Sequence, residues 1–315
     1  MSLSRIEIAK IISILITPVM IVLSVLQSLY NKFLRSENVK SIAGEIAVVT
    51  GGGGGLGRAI SMELAKHGCH VAVVDINYEE AQKTVQLINE NYKVNTKAYK
   101  IDITSYDEVV RLNKIITDDL GKATILVNNA GIIAFSDIFK PDPIEIQRMI
   151  NVNLTSHIWT KRVFLENMKE VGKGHIVAIC STGGLGPFPL SSVYCSTKYG
   201  VRGFMRTLRV ELRMDEKCRD IKTTTVFPTV MDTNSGVLDD LNKCNWNTIF
   251  QIQSGVSVAY RIIQGMLRNE VNIGVPALEI PYMKCIEFWP AEIIDRMMAK
   301  TFLSGLKNSL GKQLK

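Results

Sequence analysis

From residue 45 to residue 275 short apolar runs alternate with longer stretches in which apolar positions recur every three or four residues. Runs of the first kind predict strands buried on both faces, and stretches of the second kind predict helices with one apolar stripe. Glu45 to Thr50 is the first strand, and a glycine run leads from it into a helix ending near His67. Strands follow at His70–Asp75, Thr96–Asp102, Thr124–Asn128, Gly174–Cys180, Ile221–Phe227 and Val271–Val275. Helices fall between them at Tyr78–Asn91, Tyr106–Leu120, Pro143–Glu170, Tyr194–Glu216 and Val256–Arg268. Strict alternation of this kind predicts an α/β fold, a doubly wound parallel sheet covered by helices on both faces.

The pattern differs at the two ends. Ile11 to Tyr30 carries no charge over its whole length, and as a helix rising ~1.5 Å per residue it reaches about the thickness of a bilayer's hydrocarbon core. Pro18 and scattered Ser, Thr and Gln make it a poor span, so a full crossing and a shallow monotopic insertion both stay open. A cleaved signal peptide fits less well, because the apolar stretch is long and no small-x-small site follows it. Residues 1–30 are therefore expected to be a membrane anchor and 31–40 a basic linker. Residues 41–275 form the α/β domain, and 276–315 a helical tail facing substrate or membrane. Lys32, Arg35 and Lys40 outnumber Arg5 and Lys10 across the segment, which favours a cytosolic main domain.

Composition narrows the partners. A charged fraction of 21% and a hydrophobic fraction of 46% give ample material for a core. The net charge of +7 lies partly beside the apolar segment and in the tail (Lys300, Lys307, Lys312, Lys315), with no basic run interleaved with aromatics. That distribution suits anionic lipid and argues against nucleic acid. The 6 cysteines lack Cys-x-x-Cys spacing and the 4 histidines lack ligand spacing, so reduced thiols and no metal are expected.

Two motifs carry chemistry. Thr50-Gly51, Gly55, Leu56 and Gly57 stand between the first strand and first helix, where backbone N–H groups and the helix dipole can approach a pyrophosphate. Asp75 ends the second strand, where a carboxylate accepts from a ribose hydroxyl and repels a 2′-phosphate, so NAD is preferred over NADP. Tyr194 and Lys198 stand four apart and share a helix face, which lets a cation favour the phenolate form of a general base. Ser181 precedes them without the G-x-S-x-G turn of a hydrolase nucleophile.

With Asn128-Asn129-Ala130-Gly131 upstream, these residues make the chain resemble the short-chain dehydrogenase/reductase family over roughly residues 40–275. Ala43-Gly44-Glu45-Ile46 and Asp75-Ile76-Asn77 resemble its membrane-associated branch of retinol and 17β-hydroxysteroid dehydrogenases. The resemblance implies a Rossmann fold and a catalytic tetrad of Asn153, Ser181, Tyr194 and Lys198. It also implies Asp102 and Ile103 beside the adenine, and Asn129, Ala130 and Gly131 along the cofactor. Pro228 and Thr233 would meet the nicotinamide, and Thr229 departs from the glycine common at its position. Hydride would pass between the nicotinamide and a lipophilic alcohol or ketone (a retinoid, steroid or fatty alcohol). Tyr194 would move the proton, Ser181 would fix the substrate oxygen, and Asn153 would hold a water. Leu185, Pro187, Phe188, Leu190 and Val193 would line the substrate approach, joined by Met231, Trp246, Phe250, Tyr282, Phe288 and Trp289. The branch further implies a homodimer and residence at the endoplasmic reticulum membrane or lipid droplet, with the catalytic domain in the cytosol. The alternative is a membrane or lipid-droplet scaffold that keeps the fold without turnover.

Overall fold

The computed structural model describes residues 39–133, 142–243 and 251–310, together with Ile16, Val19 and Leu23. Seven strands form one parallel sheet: β1 (Ile46–Thr50), β2 (His70–Asp75), β3 (Thr96–Lys100), β4 (Ile125–Asn128), β5 (Gly174–Ile179), β6 (Ile221–Pro228) and β7 (Asn272–Val275). Their order is β3-β2-β1-β4-β5-β6-β7. β1 pairs with β2 on one side (Val49 opposite Val73) and with β4 on the other (Val48 opposite Leu126). The chain thus reverses direction across the sheet between β1 and β4, and a crevice opens beyond their C-terminal ends.

Side chains alternate across a strand, and here both faces are apolar. Ala47 and Val49 enter one core with Ile60, Leu64, Ile262 and Met266, from α1 (Gly55–Lys66) and a helix at Gly255–Leu267. Val48 enters the opposite core with Leu112, Phe164, Met168, Met205 and Leu208. Those residues come from helices at Tyr106–Asp119, Ser156–Val171 and Ser192–Met214. In chain order the helices are α1, α2 (Tyr78–Asn91), α3 (Tyr106–Asp119), α4 (Pro143–Ile150), α5 (Ser156–Val171) and α6 (Ser192–Met214). After them come α7 (Ser235–Lys243), α8 (Gly255–Leu267), α9 (Glu279–Ile286) and α10 (Ala291–Leu310).

Helix starts follow local chemistry. Asn77, Ser105 and Asp142 accept from backbone N–H groups at the first turns of α2, α3 and α4, and Gly172 ends α5 at φ +77°. The single helix expected over 143–170 is instead two helices joined by a π-turn at Asn151–Thr155. The π-turn is only five residues long, too short to interrupt the apolar recurrence on either side, so the pattern reads as one helix. Short α7 was not expected, because its signal is brief and flanked by polar residues.

By contact the chain divides into two units, 1–40 and 41–315, and residues 276–310 belong to the second. Among the described residues no helix is long and apolar enough to cross a membrane. The expected anchor at 11–30 lies outside the described residues except for Ile16, Val19 and Leu23, which are helical and about half exposed.

Candidate active site

The crevice is a cleft of about 720 Å³, built around the loop from β1 to α1. Gly51 and Gly55 sit at φ +64° and +50°, where a side chain would be strained. A Cβ on Gly57 would come within 2.0 Å of the Gly51 carbonyl oxygen, so helix and loop touch backbone to backbone. Unlike α2, α3 and α4, α1 has no side-chain cap and no acidic residue in its first turn. Its N–H groups therefore open into the cleft, an arrangement suited to a phosphate.

Neighbouring side chains brace the loop. The Thr50 hydroxyl accepts from the backbone N–H groups of Asn129 (3.0 Å) and Ala130 (3.2 Å). Asn129 Nδ2 donates to the carbonyls of Thr50 (2.9 Å) and Gly51 (3.2 Å). Thr50 is thus a brace under the loop and does not line the cleft, while Gly51, Gly55, Leu56, Gly57, Asn129, Ala130 and Gly131 do.

Asp75 faces the same cleft from the end of β2. Its carboxylate accepts from Gly53 N and Asn77 N, both at 2.9 Å, so the loop fixes its orientation. Arg58 is turned away onto Glu80 (2.7 Å) and Thr84 (3.0 Å). Asp102 and Ile103 line the wall beyond β3, with Asp102 held by the Thr104 hydroxyl at 2.8 Å. On the far side lie Pro228 and Thr233. A Cβ on Gly55 would come within 3.3 Å of Thr233, so the segment after β6 closes over the loop. Thr229 donates its N–H to Val275 at 3.0 Å, tying that segment to β7.

Ser181, Tyr194 and Lys198 line the cleft together. Ser181 precedes a 3₁₀ turn at Thr182–Gly184 and accepts from Gly183 N at 3.1 Å. Tyr194 and Lys198 lie one turn apart near the start of α6, with the ammonium 5.6 Å from the Tyr194 ring centre. Lys198 is 3% exposed and donates to the Ile179 carbonyl at 3.0 Å. Asn153 is fully buried in the π-turn behind this wall and does not line the cleft. Its amide accepts from Ile132 N (2.8 Å) and donates to Ile132 O (2.7 Å) and the Thr197 hydroxyl (3.3 Å). The Asn153 side chain therefore holds the segment that follows Gly131.

Burial dominates the electrostatics. It pushes the Tyr194 phenol above its ordinary value, opposed by a hydrogen bond with Ser181. The sequence reading had Lys198 lowering that phenol. In the protein alone the direction is upward, because burial strips the phenolate of its hydration. Burial likewise lowers Lys198. The Cys180 thiol is pushed up to about 11 by burial, and Cys195 is raised for the same reason, so both are packing thiols. His157, 1% exposed, is driven down to about 3 by burial first and then by the charge of Lys198.

On the substrate side Phe188 and Met231 line the cleft. Leu185 is in the core instead, and Leu190 packs in a small cluster with Leu241 and Phe302. Tyr282, Phe288 and Trp289 face solvent away from the cleft, which corrects their expected place on its wall. Tyr282 lies on α9, whose Ile280 and Met283 pack against the core, and Phe288 and Trp289 lie in the turn after it. Trp246 and Phe250 lie outside the described residues. The sequence reading missed Arg148, Val152, Asn234, Val237 and Leu241, which also line the cleft and carry no motif signal. Among the described residues no group of His, Cys, Asp or Glu can hold a metal ion.

A family model described as short chain dehydrogenase matches residues 45–242. The short-chain dehydrogenase/reductase family 16C member 6 of Bos taurus is 34% identical over 208 residues, covering 66% of this chain and 65% of that protein, just under two thirds of its length. The 17-beta-hydroxysteroid dehydrogenase 13 of Homo sapiens is 31% identical over 290 residues, covering 91% and 94%. Epidermal retinol dehydrogenase 2 of Mus musculus is 32% identical over 256 residues, covering 81% of each chain. Among solved structures, a short chain dehydrogenase/reductase from Burkholderia phymatum in complex with NAD has a TM-score of 0.69 and 20% identity, covering 78% of this chain and 93% of that one. A metagenomic short-chain oxidoreductase in complex with NADP has a TM-score of 0.61 and 23% identity, covering 74% and 96%. These two likenesses concern the fold.

Proposed function

The chain belongs to the short chain dehydrogenase family and is an oxidoreductase acting on CH–OH groups, and on that premise we propose that it interconverts a lipophilic alcohol and its ketone or aldehyde with NAD. The observation that carries the proposal is one cleft holding the uncapped end of α1, Asp75, and the side chains of Ser181, Tyr194 and Lys198. The cradle fits a dinucleotide, since only backbone lines the loop's approach: a Cβ on Gly51 would press on Ala130 and Asn129, and one on Gly57 on the Gly51 carbonyl. When bound, the nicotinamide supplies hydride acceptance and a positive charge beside Tyr194.

In this reading the Ser181 hydroxyl binds the substrate oxygen and holds it against Tyr194. The Tyr194 oxygen takes the alcohol proton as the carbon loses hydride, and returns a proton in reduction. Lys198 stabilises the phenolate and binds ribose hydroxyls. Asn153 fixes the segment after Gly131 and, with it, the site's inner wall. Asp75 accepts from the ribose and disfavours a 2′-phosphate. Phe188, Met231, Val237 and Leu241 give the substrate end an apolar lining, which supports a retinoid, a steroid or a fatty alcohol.

The same reading includes a membrane. The uncharged stretch 11–30 supports an anchor, and Ile16, Val19 and Leu23 fall on one helix face. Phe288 is 88% exposed beside Trp289 in the turn between α9 and α10, which supports contact of that turn with the same surface. We put the protein at the endoplasmic reticulum or lipid droplet, with the catalytic unit in the cytosol. Exposed Ile158, Val210 and Met214 on α5 and α6 support a homodimer. The deciding experiment is turnover by purified protein of retinols, hydroxysteroids and fatty alcohols with NAD and with NADP. NAD-dependent turnover of one class is expected, and no turnover of any would overturn the reading.

A further inference from the structure

Arg202, Arg206, Arg209 and Arg213 recur along α6 at steps of four, three and four residues. At ~3.6 residues per turn they fall within about 60° of one another, in a stripe about 16 Å long. Glu211, the one acid on the helix, falls on the opposite side. Val210 and Met214, on the face given above to the dimer, lie about 90° round from the stripe.

The stripe is short of counter-charge. Arg202, at its start, reaches Glu287 (3.3 Å) and the Gly184 carbonyl (3.2 Å). Arg206, Arg209 and Arg213 have no hydrogen bond or ion pair among the described residues. Arg209 is held below its ordinary value by partial burial first, and then by the charges of Arg213 and Arg206. Like charges at this spacing destabilise a helix, and its negative end offsets that only for Arg213, in the last turn. Asp215, just beyond, is taken by Lys169 at 3.0 Å.

Glu287 links the stripe to exposed aromatic rings. It closes α9, and Phe288 and Trp289 follow it in the turn. Tyr199, also exposed, feels the charges of both Glu287 and Arg202. Guanidinium groups fork onto phosphate and carboxylate oxygens, and tyrosine and tryptophan rings settle where headgroups meet acyl chains. An acidic protein would match the cations too, but the adjoining rings and the uncharged stretch at 11–30 favour lipid.

We propose that the arginine stripe of α6 and the Phe288–Trp289 turn form one face that lies on an anionic lipid surface. The guanidinium groups meet headgroup phosphates and carboxylates, and the rings enter between the headgroups. The inference rests on the membrane reading above and adds to it a selectivity for lipid charge, which an uncharged anchor does not supply. High salt screens this contribution and spares the anchor's.

Flotation of full-length protein tests it, with vesicles of phosphatidylcholine alone and of phosphatidylcholine with about one fifth phosphatidylserine. Each cation near such a surface contributes roughly fivefold in binding. The R206Q/R209Q/R213Q variant is therefore expected to bind the phosphatidylserine vesicles about a hundredfold more weakly at low salt. Lysine at the same three positions is expected to retain most of the binding, and raised salt to narrow the gap. Equal binding by wild type and glutamine variant overturns the proposal. So does a wild type that binds poly-glutamate and shows no preference for phosphatidylserine, which gives the face to an acidic protein. If the glutamine variant does not fold, the wild type decides: a preference for phosphatidylserine that raised salt leaves unchanged overturns the proposal. Brominated acyl chains are expected to quench tryptophan fluorescence less in Trp289→Phe than in wild type, and equal quenching overturns the part given to the turn. Binding to phosphatidylcholine alone reports the anchor. Its absence from both proteins would overturn the reading of residues 11–30 and leave the arginine comparison intact.

Discussion

Tyr194 is half-buried and Lys198 almost wholly so, and this shapes what each can do. Removing only the phenolic oxygen leaves the helix face and the nicotinamide end of the cleft intact. Tyr194→Phe is therefore expected to lower kcat by about 10²- to 10⁴-fold while the cofactor Kd, read by fluorescence titration, changes little. Asp75 has two jobs, since its carboxylate both faces the cleft and receives the Gly53 N–H. Asp75→Ala should relax discrimination against NADP by about 1–3 kcal/mol, measured as the ratio of kcat/KM for the two cofactors. A wild type that already prefers NADP would contradict this role. His157 gives a pH signature of its own. Its folded value is depressed to about 3 from an ordinary 6.5, so the stability linked to it is present above pH 6.5 and is lost as pH falls toward 3. His157→Gln removes that titration. Urea melts of the variant are expected to lose less stability between pH 7 and pH 4 than those of the wild type.

Among the elements, the β1–α1 loop is the most constrained, and its glycines are not equivalent. A Cβ at Gly52 meets Val73 at 2.9 Å, and one at Gly53 meets Asp75 Oδ2 at 2.9 Å, whereas Gly54 faces open space. Gly57→Ala is expected to force α1 off the loop, destabilising the fold by about 1–3 kcal/mol and abolishing tight cofactor binding. Gly54→Ala should stay within about 0.5 kcal/mol of the wild type. Chemical melts and cofactor titrations of the two variants compare them directly, and equal effects would refute the packing account. The π-turn matters in a different way. By inserting a residue it turns Asn153 onto Ile132 and still delivers His157 and Thr160 to the same face of α5.

At the scale of the molecule, residues 41–315 form a unit of their own, and among the described residues both apolar cores are built from Ile42 onward. Deleting residues 1–30 is therefore expected to leave thermal unfolding nearly unchanged. It should also release the protein from membranes, because each apolar side chain placed in lipid contributes about 1.5–3 kcal/mol and each surface lysine only about 1 kcal/mol. Fractionation of full-length and truncated protein in low and high salt checks both. Truncated protein that stays on membranes in high salt would make the exposed face of α9 and α10 the principal anchor.

Sequence by itself determined what depends on neighbours along the chain. The alternation of apolar runs gave seven strands within about two residues of their observed ends, including Ile221–Pro228 and Asn272–Val275. Glycine spacing marked the loop at residues 51–57, and the four-residue step from Tyr194 to Lys198 put both on one helix face. What only the tertiary structure decided depends on segments far apart in sequence. The reversal between β1 and β4 brings Gly51 to Asn129 and sets Thr233 over Gly55. It also puts Leu185 into the core and Tyr282, Phe288 and Trp289 outside the cleft, although all four read as apolar candidates for its wall. Hydrophobicity states that a side chain avoids water and not which surface covers it. The same limit hid the state of His157, since a histidine's depressed basicity arises from burial against distant strands and helices, and no local pattern encodes it.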